Sequence, residues 1–458
     1  MALRRIFISL LLLWSCLGVA DERLNAARQA LLNQVEVIRL AYASREFDNY
    51  HQQLKAEQQL PTERLYAIAE ATADFWRRQG IATGGSPLTL NDPYMAVIAS
   101  EPRASDYLML SNRVRYLLWL ARHESWLPLE PLGWLKPGDS HKAISEIRGR
   151  LQALGDYPQG ATSGSYYDER LKEAVLRFQV RHGLKSDAII GPATLAWLNR
   201  SPRERAQLLV VNFIQRAEYL AEIGERYLLI NIPAYEMWLV DDDRVALRSK
   251  VIVGKPYRQT PIISGEIKNL VLNPSWRVPR RLLTRDLLPK VREDGSYISS
   301  RNFEVFDYHG ERVIKSDDEW RDVARGKFPY RLVQKPGAGN TLGRYKFFFP
   351  NEYNIYLHDT SDKALFERSD RALSSGCIRV EKVEQLANWM ASHLVRDKQT
   401  WVNMQRERDK TQWFAFDASL PIHLVYWTSW LDDDNVAQFR EDIYKKNQKF
   451  SLNLQATN

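Results

Sequence analysis

The chain has 458 residues, of which 45% are hydrophobic, and carries 64 Lys and Arg against 56 Asp and Glu for a net charge of +8. That length is too great for one ordinary core and that composition excludes a disordered or fibrous protein, so about two to four folded domains are expected. The basic balance suits an anionic partner (nucleic acid, a membrane surface or a cell-wall polymer) and equally a plain solvated surface.

The N-terminus reads "MALRRIFISLLLLWSCLGVADE". Arg4 and Arg5 form a basic start, Ile6 to Leu17 an apolar stretch, and Gly18 and Ala20 supply small residues, the pattern of an export signal at 1–20 cut after Ala20. An uncleaved anchor and a lipoprotein site at Cys16 are the alternatives, the latter disfavoured by bulky Trp14. No later run approaches about 18 uninterrupted apolar residues, so no transmembrane segment is expected in the mature chain. Export argues against nucleic acid and would leave Cys377 as the single thiol, since Cys16 is the only other cysteine. A lone cysteine in an oxidising compartment points to an intermolecular bond or a working thiol.

Residues 21–135 read as a helical scaffold. In "DYLMLSNRVRYLLWLARH" Leu110, Val114, Leu117, Leu118 and Ala121 recur at helical spacing, and Pro128, Pro131 and Pro137 then break the pattern. Residues 136–200 predict three short helices: one with Ile144, Ile147, Leu151 and Leu154 on a face, stopped by Gly155; one using Leu171, Ala174, Val175 and Phe178, stopped by Gly183; and one started by Pro192. This block resembles the peptidoglycan-binding domain type 1 family through Gly138-Asp139, Tyr167-Asp168, Phe178-Gln179, Gly183-Leu184, Asp187 and Gly191-Pro192-Ala193-Thr194.

A helical linker is expected over 201–226, and from 227 to 458 the signal becomes mainly β. Strand candidates include Asn269 to Leu272, Lys346 to Phe349, Ile355 to Leu357, Thr400 to Met404 ("TWVNM") and the final pair "IHLVYWTSWL" and "AQFREDIY" around an Asp-rich turn. A charged, turn-rich stretch at about 280–339 reads as an insertion able to cap a site.

The stretch "YNIYLHDTSDKALFERSDRALSSGCIRVEKVE" carries the chemistry. His358 stands at a strand end and Cys377 lies in a Ser/Gly turn, ahead of a helix face traced by Val380, Val383, Leu386, Ala387, Met390 and Leu394. An imidazole within reach of a thiol can take its proton, although a polar histidine at a strand end is also an ordinary surface or capping residue. With His358, Ser374, Gly376, Cys377 and Arg379 in place, the stretch resembles the catalytic motif of the L,D-transpeptidase (YkuD) family, with Ser375 where many members have a second histidine. The likeness extends through "VIVGKPYRQTPIIS", "VLNPSWRVP", "LPKVRED" and "NTLGRYKFFFPNEYNIYLHDT", and with the preceding domains it resembles the large YcbB-type periplasmic members.

The resemblance implies a multidomain α+β protein: helical N-terminal module, three-helix binding bundle, and a mainly β catalytic domain with a capping insertion. It implies that Cys377 attacks a tetrapeptide stem of peptidoglycan with His358 as base, releases D-alanine, and joins the third-position residues of donor and acceptor stems. The backbone N–H groups of Ser375, Gly376 and Cys377 would form the oxyanion hole, and a carbonyl after His358, that of Asp359, would orient the imidazole. Asp359's own carboxylate is either part of that orientation or structural. Arg379 either binds a stem carboxylate or holds the cysteine loop; Tyr356 and Trp276 are pocket walls or core; Ser374 shapes the turn. No metal or nucleotide motif occurs, so no cofactor is expected. Cell-wall synthesis proteins are candidate partners and carbapenem-type β-lactams candidate inhibitors. An L,D-carboxypeptidase, attachment of a lipoprotein to peptidoglycan, and a non-catalytic wall-binding protein are the competing readings.

Overall fold

The computed structural model describes residues 22–56, 60–131, 133–160 and 164–447 in full, and residues 2–21 only as backbone at the start of the first helix. The expected export signal therefore lies outside the fully described residues. The chain forms two compact units, one of residues 1–223 and 427–458, the other of residues 224–426. None of the described helices is long and apolar enough to cross a membrane.

The first unit is helical. Its elements are α1 (Ala2–Ala41), α2 (Arg45–Ala56), α3 (Thr62–Arg78), α4 (Pro93–Ala99), α5 (Tyr107–His123), α6 (Ala143–Ala153), α7 (Glu169–Arg181), α8 (Pro192–Asn199) and α9 (Pro202–Ala221). On α5 the spaced Leu110, Val114, Leu117 and Leu118 are buried, as their periodicity predicts, whereas Ala121, which shares the spacing, is exposed. Asp168 caps α7 by accepting from the Leu171 N–H at 2.8 Å, and Pro192 opens α8, so two of the three helices of the small bundle begin at residues chemically suited to starting them, while α6 follows Lys142 without a side-chain cap. The expected linker is a core element instead. Pro202 starts α9, Ser201 and Glu204 close a capping box, and Leu209, Val210, Val211, Phe213 and Ile214 are buried. Such a face has to be covered by other helices, and α5 and α1 cover it.

The second unit is built on β1 (Tyr227–Asn231), β2 (Glu236–Asp241), β3 (Arg244–Gly254), β4 (Ile263–Leu272), β5 (Trp276–Arg277), β6 (Phe303–Phe306), β7 (Arg312–Val313), β8 (Arg331–Gln334), β9 (Tyr345–Phe348), β10 (Tyr356–His358), β11 (Ala372–Ser374), β12 (Ile378–Val380) and β13 (Gln412–Val425). The main sheet runs β11-β3-β12-β10-β9-β4-β13-β1-β2, and a further β2–β3 pairing closes it on itself. Closure leaves the three-residue β11, paired only with β3, at an edge of the sheet, and a strand so short offers little to strand addition. The insertion is a small layer with its own sheet, β5-β8-β6-β7, and four helices, α10 (Arg280–Leu282), α11 (Leu288–Glu293), α12 (Tyr297–Ser300) and α13 (Asp317–Arg325). Leu283, Val291, Trp320, Phe328 and Leu332 are among its core residues, and Trp276 joins them from β5.

Helices α14 (Val383–His393) and α15 (Lys398–Met404) complete this unit. Thr400 to Met404 was expected as a strand from its β-branched residues and is helical. The Asp397 side chain accepts from the Thr400 N–H at 2.9 Å, and Trp401 is buried against Phe414, so capping and packing override propensity. Val380, expected on the helix after Cys377, lies in β12, and the helix begins only at Val383. The β-rich segment, read as one domain to residue 458, meets a boundary at Tyr426. Beyond it β14 (Ser429–Leu431) and β15 (Ala437–Phe439) form a hairpin, and Leu431, Ala437 and Phe439 enter the core of the helical unit.

Candidate active site

Two short parallel strands set the site. In the β10–β12 pair Leu357 lies opposite Ile378 and His358 opposite Arg379. Leu357 and Ile378 are fully buried. Side chains alternate along a strand, so Tyr356 and His358, and likewise Cys377 and Arg379, take the other face together. On the far side of β10, Lys346 of β9 pairs with His358. The sequences "YLH" and "CIR" thus bring one face's polar groups together while anchoring the opposite face in the core.

The cysteine loop is held from within and from outside. Ser374 Oγ donates to the Cys377 carbonyl at 2.6 Å and accepts from the Gly376 N–H at 3.0 Å. Gly376 has φ +118°, a region that side chains rarely enter, so a glycine is required for this turn. From outside, Thr260 Oγ1 donates to the Gly376 carbonyl at 2.8 Å and Arg258 donates to Ser375 Oγ at 2.8 Å. Both come from the loop after β3, which folds back so tightly that a Cβ on Gly254 would stand 2.1 Å from the Arg258 carbonyl oxygen.

Arg258 also grips Asp286 through both guanidinium nitrogens, at 2.6 and 3.0 Å. Asp286 sits in a π-helical turn of the insertion, Leu283–Leu287. The pair therefore fastens the insertion to the cysteine loop. The cation beside Asp286 holds its carboxyl below the usual range.

His358 is 4% exposed. Its Nδ1 lies 2.5 Å from the Asp359 carbonyl oxygen, an acceptor, so Nδ1 carries the proton and Nε2 presents a lone pair. Burial, with Arg379 adding repulsion, pushes the imidazole down to about 3, although the Asp359 carbonyl pulls the other way. The Asp359 carboxylate is engaged elsewhere. It accepts from the Arg344 and Thr360 N–H groups at 2.8 and 2.7 Å and pairs with Lys363 Nζ at 2.5 Å, an arrangement that ties the loop rather than touching the imidazole.

Cys377 is partly exposed. Burial raises its thiol above the ordinary value, opposed by hydrogen bonds from the Tyr356 backbone and phenol and by the charges of Lys346 and Arg379. A neutral imidazole and a protonated thiol lining one cavity fit proton transfer during attack, rather than a preformed thiolate–imidazolium pair. Tyr356 is itself positioned: Trp276 hydrogen-bonds its phenol, and Lys346 Nζ lies 4.0 Å from its ring centroid. Arg379 makes no ion pair among the described residues and its buried Nε has no partner; Asp362 is the acid whose charge reaches it.

His358, Tyr356, Ser374, Ser375, Cys377, Arg379 and Trp276 all line one cavity of about 400 Å³, closed on its other wall by insertion residues including Asp286, Lys290, Tyr297 and Arg301. Asp359 and Gly376 stand behind that lining. Sequence reasoning missed Lys346, Arg258 and Thr260. The signal that points to them is the two-residue alternation for Lys346 and the glycine-pinned loop after β3 for the others.

Comparison with known proteins finds likeness in two segments of the chain. Residues 225–404 match the family described as "L,D-transpeptidase catalytic domain" (YkuD), and residues 140–198 match "Putative peptidoglycan binding domain". A "Putative L,D-transpeptidase" of Haemophilus influenzae is 38% identical over 228 residues, 49% of this chain and 45% of that protein. The match thus spans less than half of that relative's length. Among solved structures, an L,D-transpeptidase from Mycobacterium smegmatis is 13% identical over 44% of this chain and 58% of that one, with a TM-score of 0.22. One from Stackebrandtia nassauensis is 12% identical over 65% of this chain and 97% of that one, with a TM-score of 0.24. Likeness at that level carries no argument about the site.

Proposed function

We propose that this chain, which carries an L,D-transpeptidase catalytic domain together with a peptidoglycan-binding type 1 domain, cross-links peptidoglycan by thioester chemistry at Cys377. The observation supporting this reading is the placement of Tyr356, His358, Cys377 and Arg379 on one sheet face at the wall of a single cavity.

In the proposed reaction Cys377 Sγ adds to the carbonyl between the third and fourth residues of a donor tetrapeptide stem as His358 Nε2 takes the thiol proton. Collapse of the tetrahedral adduct breaks the C–N bond. The proton passes from His358 to the departing D-alanine amine, leaving an acyl-thioester. An acceptor amine then adds to the thioester, His358 takes its proton, and the thiol leaves with that proton restored. The new amide joins third-position residues, and no nucleotide is consumed.

With the Gly376 N–H donated to Ser374 Oγ, the Ser375 and Cys377 N–H groups are the oxyanion donors, and the Tyr356 phenol supports the sulfur as it loses its proton. Arg379, without an ion-pair partner among the described residues, binds a stem carboxylate through its planar fork. The periplasm is the proposed site of action, supported by the basic-apolar-small pattern of residues 1–20. Acylation by carbapenem-type β-lactams belongs to the same reading.

The test is incubation of the full mature chain and its Cys377→Ala variant with disaccharide-tetrapeptide fragments, read by mass spectrometry. Dimers joined through third-position residues, absent with the variant, are expected. Tripeptide monomers alone would instead make the protein an L,D-carboxypeptidase, and the absence of product from either would remove the catalytic reading.

A further inference from the structure

The cavity around Cys377 has two chemically different walls. The sheet contributes the reacting groups, and the insertion contributes Lys290 from α11 and Arg301 from the end of α12, both exposed. Both cations contact the Tyr297 ring, with Lys290 Nζ 5.3 Å from its centroid and the Arg301 guanidinium carbon 6.0 Å. Each cation is thereby placed by a contact with the same aromatic ring rather than by an acid.

Neither cation has a carboxylate partner among the described residues. Of the two acids in the cavity lining, Asp286 is held bidentately by Arg258, and it feels the charge of Lys290 only after those of Arg258 and Lys255. The other acid of the lining, Asp362, acts on Arg379 at the sheet wall. Two uncompensated cations on a shared ring, facing a cavity that holds a reactive thiol, form a site for an anion belonging to whatever that thiol attacks.

We infer that Lys290 and Arg301, both set against the ring of Tyr297, form a carboxylate subsite through which the insertion selects acyl donors bearing a free carboxylate away from the scissile carbonyl. This rests on the transpeptidase reading for the identity of the donor and deepens it by giving the insertion a role in specificity. The planar guanidinium supplies two parallel N–H donors and the ammonium a point charge, so a carboxylate is held in both position and orientation. Binding remote from the reacting bond is the kind of interaction that sets donor choice.

The experiment compares the full chain with its Lys290→Gln/Arg301→Gln variant on two tetrapeptide donors, one with free side-chain carboxylates and one with them amidated. For the unaltered protein the amidated donor should show a KM at least about 10-fold higher with kcat within about twofold, in line with the loss of a charge-assisted contact. The double variant should lose that preference and match the unaltered protein on the amidated donor. A preference that survives in the variant, or none in the unaltered protein, overturns the subsite while leaving the transpeptidase reading intact. Should neither donor turn over, that reading falls, and the subsite is then decided by the Cys377 alkylation rates of anionic iodoacetate and neutral iodoacetamide. Their ratio should fall in the double variant, and an unchanged ratio overturns the proposal. Equal thermal midpoints of the two proteins show that the substitutions leave the fold intact.

Discussion

The Nδ1 proton of His358 is given to the backbone carbonyl of Asp359, 2.5 Å away, so the residue after the base fixes its tautomer without using a side chain. A His358→Gln variant keeps the volume and removes the base. Turnover should fall about 10²- to 10⁴-fold, and imidazole added to the medium should not restore it because the site is buried. Activity within tenfold of the unaltered enzyme would show that another group takes the proton.

The same burial predicts an acid effect on stability. His358 is depressed to about 3 in the fold against about 6.5 in the unfolded chain. The unfolded state therefore gains a proton that the native state refuses as pH falls below about 6.5, and stability declines until the folded value is reached. Between pH 7 and 4 the His358→Gln variant should be spared a loss on the order of 2–4 kcal/mol. Urea unfolding of both proteins at the two pH values measures this, and parallel losses would contradict it.

Tyr356 and Lys346 are predicted to work on the thiol rather than on the substrate. Tyr356→Phe removes the phenol that donates to Cys377. A hydrogen bond to a charged group contributes about 1.5–3 kcal/mol, so alkylation by iodoacetamide at pH 8 should slow about 10-fold or more. Lys346→Met removes a cation half-buried beside the thiolate and should slow the same reaction about 3- to 10-fold. In the unaltered protein the rate should keep climbing beyond pH 9, because burial raises the thiol. A plateau below pH 8 would reveal a preformed ion pair instead.

Much of this site was legible in the sequence because strand alternation is local. "YLH" and "CIR" place His358 and Cys377 on one face as soon as the two strands pair in parallel, and the small residues before Cys377 announce the turn. What was not legible depends on distant partners. Arg258 and Asp286 meet only because Gly254 lets one loop fold back and a π-helical turn aims the other. α9 read as a linker because its apolar face has no meaning until α5 and α1 cover it. Thr400 to Met404 read as a strand because the Asp397 cap and the pocket for Trp401 are not written into β-branched propensity. The chain after Tyr426 kept its alternation but lost its sheet, since Phe439 finds its neighbours among helices rather than strands.

The Arg258–Asp286 pair makes the final prediction, because it is the side-chain bond that ties the insertion to the cysteine loop. Arg258 is 11% and Asp286 39% exposed in their side chains, so the pair is partly screened and its coupling should be modest, about 0.5–1 kcal/mol in a double-mutant cycle of Arg258→Ala and Asp286→Ala. Its effect on function should be larger than its effect on stability. Asp286→Asn frees the π-helical turn while leaving the cysteine loop's own bonds in place, so donor KM should rise with kcat little changed. Arg258→Ala also removes the bond to Ser375 Oγ and should lower kcat as well, because one proposed oxyanion donor belongs to Ser375. Identical kinetic profiles for the two variants would show that Arg258 acts only through Asp286 and that the cysteine loop holds its shape unaided.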